Sequence, residues 1–242
     1  MIQLINFRLS GRFAHFLRAD AGASAISYPV PPRTVIMGII GAVLGLEKDR
    51  PQTLLEPMRV AIGGRIPISH WHKAKFRKDP PESLSYVIKK SQKLEKSTKP
   101  ERATLITQEW LFNPSFDIWV ALPGTLHSEF EARIRERRWY FQPSLGLSEM
   151  LADLEFLETP EASKLSIGTH PVETLIPQDS VQLDIKKCIE QKLAINLLQM
   201  PRAVTPQRVF TLASYFMERD GRPLMVKTED AYLSGKRILM FL

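Results

Sequence analysis

Apolar and polar residues alternate from Ile2 to Phe7, with Ile2, Leu4 and Asn6 on one side and Gln3, Ile5 and Phe7 on the other. Both faces are partly apolar, which predicts a strand buried inside a sheet. After a Gly/Ala/Ser-rich passage, Pro31 and Pro32 lead through Arg33 and Thr34 into an apolar run, Val35 to Leu46. A proline at the first helical position and no breaker before Lys48 predict a helix here. Gly38, Gly41 and Gly45 share one of its faces, an arrangement that lets a helix lie close to a sheet at some cost in propensity. Met58 to Ile68 reads as a strand interrupted by Gly63 and Gly64. Ala103 to Phe112 and Phe116 to Leu122 read as two more, joined by the turn Asn113-Pro114-Ser115. Leu126 to Trp139 is predicted helical, with Leu126, Phe130, Ile134 and Arg137 on one stripe.

This order of elements predicts an α+β protein. Its N-terminal domain, residues 1–150, is expected to be ferredoxin-like, the topology of RNA-recognition modules, with a basic thumb inserted at about residues 70–102. Residues 151–242 are expected to form a smaller β-rich portion, with strand-like segments at Leu151–Leu157, Val209–Phe216 and Arg237–Leu242.

Composition narrows the function classes. The chain has 242 residues, 44% of them hydrophobic, enough for a core without covalent staples. A formal charge of +7 favours a polyanionic partner. The single cysteine, Cys188, excludes an internal disulfide and a cysteine metal cluster and suits a reducing, cytoplasmic compartment. The longest apolar run is too short to cross a bilayer, which takes about 20 residues, and no targeting segment is expected from the charged N-terminus.

The charge is concentrated. Residues 70–102 hold ten basic residues, among them Lys73, Lys75, Arg77 and Lys78, against four acids, an excess of +6. Trp71, Phe76 and Tyr86 are interleaved with them. Cations for phosphates and rings for splayed bases are the combination that binds single-stranded RNA; the competing reading is a solvated loop. At the other end of the domain, the opening of the helix at Arg33 and Thr34 brings unpaired N–H groups, a positive helix end and a guanidinium together, which suits a phosphate. The alternative leaves Arg33 in solvent and the prolines merely shaping the turn.

The stretch GRFAHFLRADAGASAISYPVPPRTVIMGIIGAVLGLEKD, Gly11 to Asp49, and the segment PSLGLSEMLADLEFL, Pro143 to Leu157, resemble CRISPR-associated protein family 5 of the RAMP superfamily. Together they cover about a quarter of the chain. The resemblance implies a non-catalytic subunit of a type I Cascade complex. Such a subunit holds the 5′ handle of CRISPR RNA, touches the backbone and large subunits, and meets target DNA only through the complex. It also implies an RNA-binding set of Arg12, His15, Arg18, Ser24, Tyr28, Arg33 and Thr34, continued by His72, Lys73, Lys75, Arg77 and Lys78 in the thumb. Phe13 and Phe16 read as core.

One branch of the same family cuts precursor RNA without a metal, using Tyr, Lys and His. Tyr28, His72 and Lys73 are the residues this chain offers for those roles, with His15 or His70 as substitutes. No catalytic residue is expected under the binding reading, and no cofactor under either. His70-x-His72 has no third ligand at useful spacing, so no metal is expected. P-loop, Gly-x-Ser-x-Gly and dinucleotide fingerprints are missing from the sequence.

Overall fold

The computed structural model describes residues 1–22, 24–77 and 103–242, with backbone alone at residues 76, 77, 103 and 104. Lys78 and most of the basic excess lie outside the described residues. The fold is mixed α/β and strand-rich. In chain order its main elements are β1 (Ile5–Ser10), α1 (Arg33–Leu44), β2 (Arg59–Gly64), β3 (Ile68–Arg77) and β4 (Ala103–Phe112). There follow β5 (Ser115–Ala121), α2 (Leu126–Arg135), β6 (Asp153–Glu158), β7 (Ile195–Val204) and β8 (Phe210–Glu218).

β1 lies inside a four-stranded antiparallel sheet ordered β6-β1-β5-β2. Its outer strand β6 comes from beyond residue 150. Register aligns Ile5 with Val120 and Val60, and Phe7 with Ile118 and Ile62. These rows are one wall of the main core, and α1 and α2 close it with Ile36, Ile40, Val43, Phe130 and Ile134. Phe130 meets Phe7 edge-on at 5.7 Å between ring centres, a favourable aromatic geometry. The other face of the sheet is covered too, since Trp119 and Ala61 pack with Leu4, Ala162 and Leu239. β1 itself alternates, with Ile5, Phe7 and Leu9 in the main core and Asn6, Arg8 and Ser10 on the other side, so the apolar residues on that second face come from Leu4 just before the strand and from the neighbouring strands.

Three expectations change. Ile2 and Gln3 do not continue β1 but pair with Ala162 and Glu161, the Leu4 N–H bonding to the Pro160 carbonyl where the chain changes sheets. The glycines of α1 do not seat it on the sheet. Gly41 makes room for Pro51, Gly45 ends the helix at φ 73 against the Tyr140 ring, and Gly38 is exposed. α2 stops at Arg135, because Arg137 turns to φ 51 and sends Tyr140 and Phe141 back to donate to the Val43 and Ala42 carbonyls of α1. Arg137 itself is exposed and off the apolar stripe.

The last third adds small antiparallel groups of strands. The longest is the β7–β8 hairpin, whose Met200, Tyr215 and Met217 join the main core beneath α1. After β8, Gly221 at φ 78 packs on the Gly64 carbonyl, and the Ile66 N–H donates to the Arg219 carbonyl at 2.8 Å. Glu218 holds this loop. Burial would raise its pKa, but N–H groups of Arg222, Ala194 and Asp220 and the Arg222 guanidinium outweigh that and hold it below the usual carboxylate range.

Candidate nucleic-acid interface

β3 and β4 pair over ten residues, from Ile68 opposite Phe112 to Arg77 opposite Ala103, so the start of the basic stretch is a strand of a long hairpin. The thumb expected here therefore begins as a regular strand, which the apolar pattern does not reveal because His70, His72, Lys73 and Lys75 mask the alternation. Residues directly opposite in an antiparallel pair share a face, and the register therefore gives the hairpin two different faces. One carries Ile68, His70, His72 and Ala74 with Phe112, Trp110, Gln108 and Ile106. The other carries Trp71, Lys73 and Lys75 with Glu109, Thr107 and Leu105, and Trp71, Lys73, Lys75 and Leu105 are all exposed.

Short flanking pieces dock on the far edge of β4. Phe13 and Ala14 pair with Phe112 and Leu111, and Ala25 bridges Gln108. This places Phe13 beside Trp110 and Phe112, at 5.4 and 5.7 Å between ring centres, with the Arg12 guanidinium 5.6 Å from the Phe13 centroid. His72 stacks on Trp110 at 4.2 Å. Phe13 is half-buried and Phe112 is 45% exposed, so this group reaches the surface. Trp110 and Phe112 were missed because a period-two pattern cannot tell which face of a strand meets water.

The remaining predicted residues divide sharply. Arg12 and Ser24 are exposed, and Thr34 is half-buried in the first turn of α1. Arg18 pairs with Asp20 at 2.8 Å and lies over the Tyr28 ring at 5.8 Å. The hydrogen bond from Arg18 holds the Asp20 carboxyl below its ordinary range. Tyr28 is buried, its hydroxyl accepting from the Ala19 N–H at 3.4 Å. His15 is buried as well, Nδ1 lying 2.7 Å from the Glu109 carbonyl oxygen.

Arg33 requires a correction. It is neither a phosphate ligand at the helix end nor a solvent-exposed residue, being 2% exposed. Its guanidinium donates to the Glu56 carboxylate at 2.9 Å and to the Glu56, Met58 and Arg202 carbonyls, tying the start of α1 to the segment before β2 and to β7. A buried cation persists only with such partners; they take up both Nη atoms, while Nε is buried without a partner. The residue type was right for an anion, but the anion is Glu56.

Tyr28, His72 and Lys73 do not converge. His72 and Lys73 are consecutive in β3 and point to opposite faces, and Tyr28 is sealed under Arg18. His70 shares the face of His72. No group of three metal-ligating side chains occurs among the described residues, and no described helix is long and apolar enough to cross a membrane.

The two segments that carried the family resemblance meet in space. The His15 N–H donates to the Leu145 carbonyl at 2.9 Å, and Gly11 lies against the Leu145 side chain and the Leu151 carbonyl. A family model described as "CRISPR-associated protein (Cas_Cas5)" matches residues 4–211. The chain belongs to this family. Similar solved structures include one described as a CRISPR RNA-guided surveillance complex, at 14% identity and TM-score 0.54, covering 91% of both chains. Another is a CRISPR protein from Archaeoglobus fulgidus, at 12% identity and TM-score 0.56, covering 98% of both. No curated protein sequence matches this member of the Cas_Cas5 family.

Proposed function

We propose that this chain is a non-catalytic subunit of a CRISPR effector complex of the Cascade type, binding the 5′ handle of the guide RNA and bridging the backbone and large subunits in the cytoplasm. The observation that carries the reading is the hairpin of β3 and β4, whose lysine face displays Lys73 and Lys75 at the root of the basic stretch. Family membership supplies the CRISPR context, and a similar structure is described as an RNA-guided surveillance complex. The strand order β6-β1-β5-β2, with α1 and α2 on one face, supports a ferredoxin-like N-terminal body. Opposed side chains at His72 and Lys73 and a buried Tyr28 support binding over cleavage, because an acid–base site must bring its groups to one phosphate.

The test is affinity for handle RNA against a scrambled strand at two salt concentrations. The subunit should prefer the handle and lose affinity steeply with salt, since each phosphate neutralised on a single strand contributes roughly −0.7 to the log–log slope. Equal, salt-insensitive binding of both strands refutes the proposal.

A further inference from the structure

We infer that the face of the hairpin opposite its lysines is a stacking platform for unpaired bases, formed by Phe13, Trp110, Phe112 and His72. The inference rests on the RNA-binding reading and deepens it, since it separates where bases sit from where phosphates sit. Four rings from three segments meet at one surface: Phe13 at 5.4 Å from Trp110 and 5.7 Å from Phe112, and His72 stacked at 4.2 Å on Trp110. A cluster formed only to fill a core would be closed, yet Phe112 is 45% exposed and Ile68 beside it 78% exposed. Apolar surface held in water at one place marks a binding site.

Charge selects the occupant. The paired residues of this face include no carboxylate among the described residues, whereas His70, His72 and the Arg12 guanidinium over Phe13 lie on or beside it. A face of rings flanked by a guanidinium fits nucleobases joined to phosphates, and Lys73 and Lys75 stand on the reverse of the same edge strand, within reach of a backbone passing over that edge.

The chemistry also fixes the kind of recognition. Gln108, the amide best placed to read a base edge, is buried, and its Oε1 accepts from the Trp110 indole N–H at 3.2 Å. The Phe13, Trp110 and Phe112 rings offer π-faces, which accept any base. The platform therefore requires bases but tolerates their identity.

The full chain, with Phe112→Ala, Phe112→Leu and Lys73→Ala/Lys75→Ala variants, is titrated with the handle RNA and with the same strand made abasic at successive positions. For intact RNA, Phe112→Ala and Phe112→Leu should each weaken binding about 10-fold, Leu keeping apolar bulk without a ring to stack. At the abasic positions that occupy the platform, neither should add a further loss, and the lysine variant should weaken all strands alike. Swapping bases at those positions should change affinity less than removing them. If the wild type binds RNA with the expected salt dependence but Phe112→Ala binds intact RNA equally well, or loses only the uptake of a partner protein, the platform is wrong and the RNA-binding reading stands. If the wild type binds no RNA, both fall.

Discussion

Gly146 lies directly over the carbonyl oxygen of His15, at φ 105, so closely that a Cβ on it would overlap that oxygen. The contact joins two segments far apart in the chain and holds the turn that carries Arg12 and Phe13. It also gives physical content to the Leu-Gly-Leu-Ser-Glu stretch, where only a residue without a side chain fits. Gly146→Ala should destabilise the protein by more than ~1 kcal/mol, because both the backbone conformation and the space reject a methyl group. Denaturant unfolding should show a lower midpoint at an unchanged slope, and wild-type stability in the variant would mean that the two segments are not held by this contact.

Arg33→Ala should cost at least ~2 kcal/mol, since it leaves the buried Met58 carbonyl and the partly buried Glu56 and Arg202 carbonyls without their donor. RNA affinity measured well below the melting temperature should stay near wild type. A large loss of affinity in a fully folded variant would return Arg33 to the RNA.

Lys73→Ala/Lys75→Ala should behave in the opposite way. Melting temperature should hold, because both side chains are exposed, while the salt slope for single-stranded RNA should fall by about 1.4, the contribution of two phosphate contacts. An unchanged slope would remove both lysines from the interface.

His127 predicts an acid sensitivity. Its Nδ1 accepts the Leu122 N–H at 3.2 Å, and burial lowers its pKa against the opposing charge of Glu131. A histidine whose folded pKa lies below the unfolded value favours the neutral form, so its contribution is complete above about pH 6.5 and fades as pH falls through the folded value. Melting temperatures from pH 7.5 to 5 should drop more steeply for wild type than for His127→Gln. Parallel curves would exclude His127 as the cause.

Incubation of precursor repeat RNA with the wild type in chelator should leave it uncut. A cyclic-phosphate product lost in Tyr28→Phe, His72→Ala or Lys73→Ala would overturn the non-catalytic reading.

Much of the body was legible because period and punctuation agree there. Ala103–Phe112 has the predicted bounds, and α1, β5 and β6 lie close to theirs, while β1 runs from Ile5 to Ser10 instead of Ile2 to Phe7. The site was less legible, for reasons specific to each residue. Charge at Arg33 announces an anion but not that Glu56 supplies it from 23 residues away. Adjacent His72 and Lys73 look like a pair until strand geometry parts them. Phe13 reads as core on hydrophobicity alone, and only its pairing beside Phe112 shows that the core opens there.

β2 and β5 are hydrogen-bonded neighbours, and the β3–β4 hairpin leaves from one and returns to the other. Its feet therefore stand side by side, and the arm works as a gauge of adjustable length. Ten paired residues at about 3.3 Å each give roughly 33 Å of reach. Two extra residues per strand near the feet would lengthen it by about 7 Å and leave the lysines facing as before. A single extra residue per strand would rotate every side chain beyond it to the opposite side, so the arm can change length only in even steps without exchanging its aromatic and lysine surfaces.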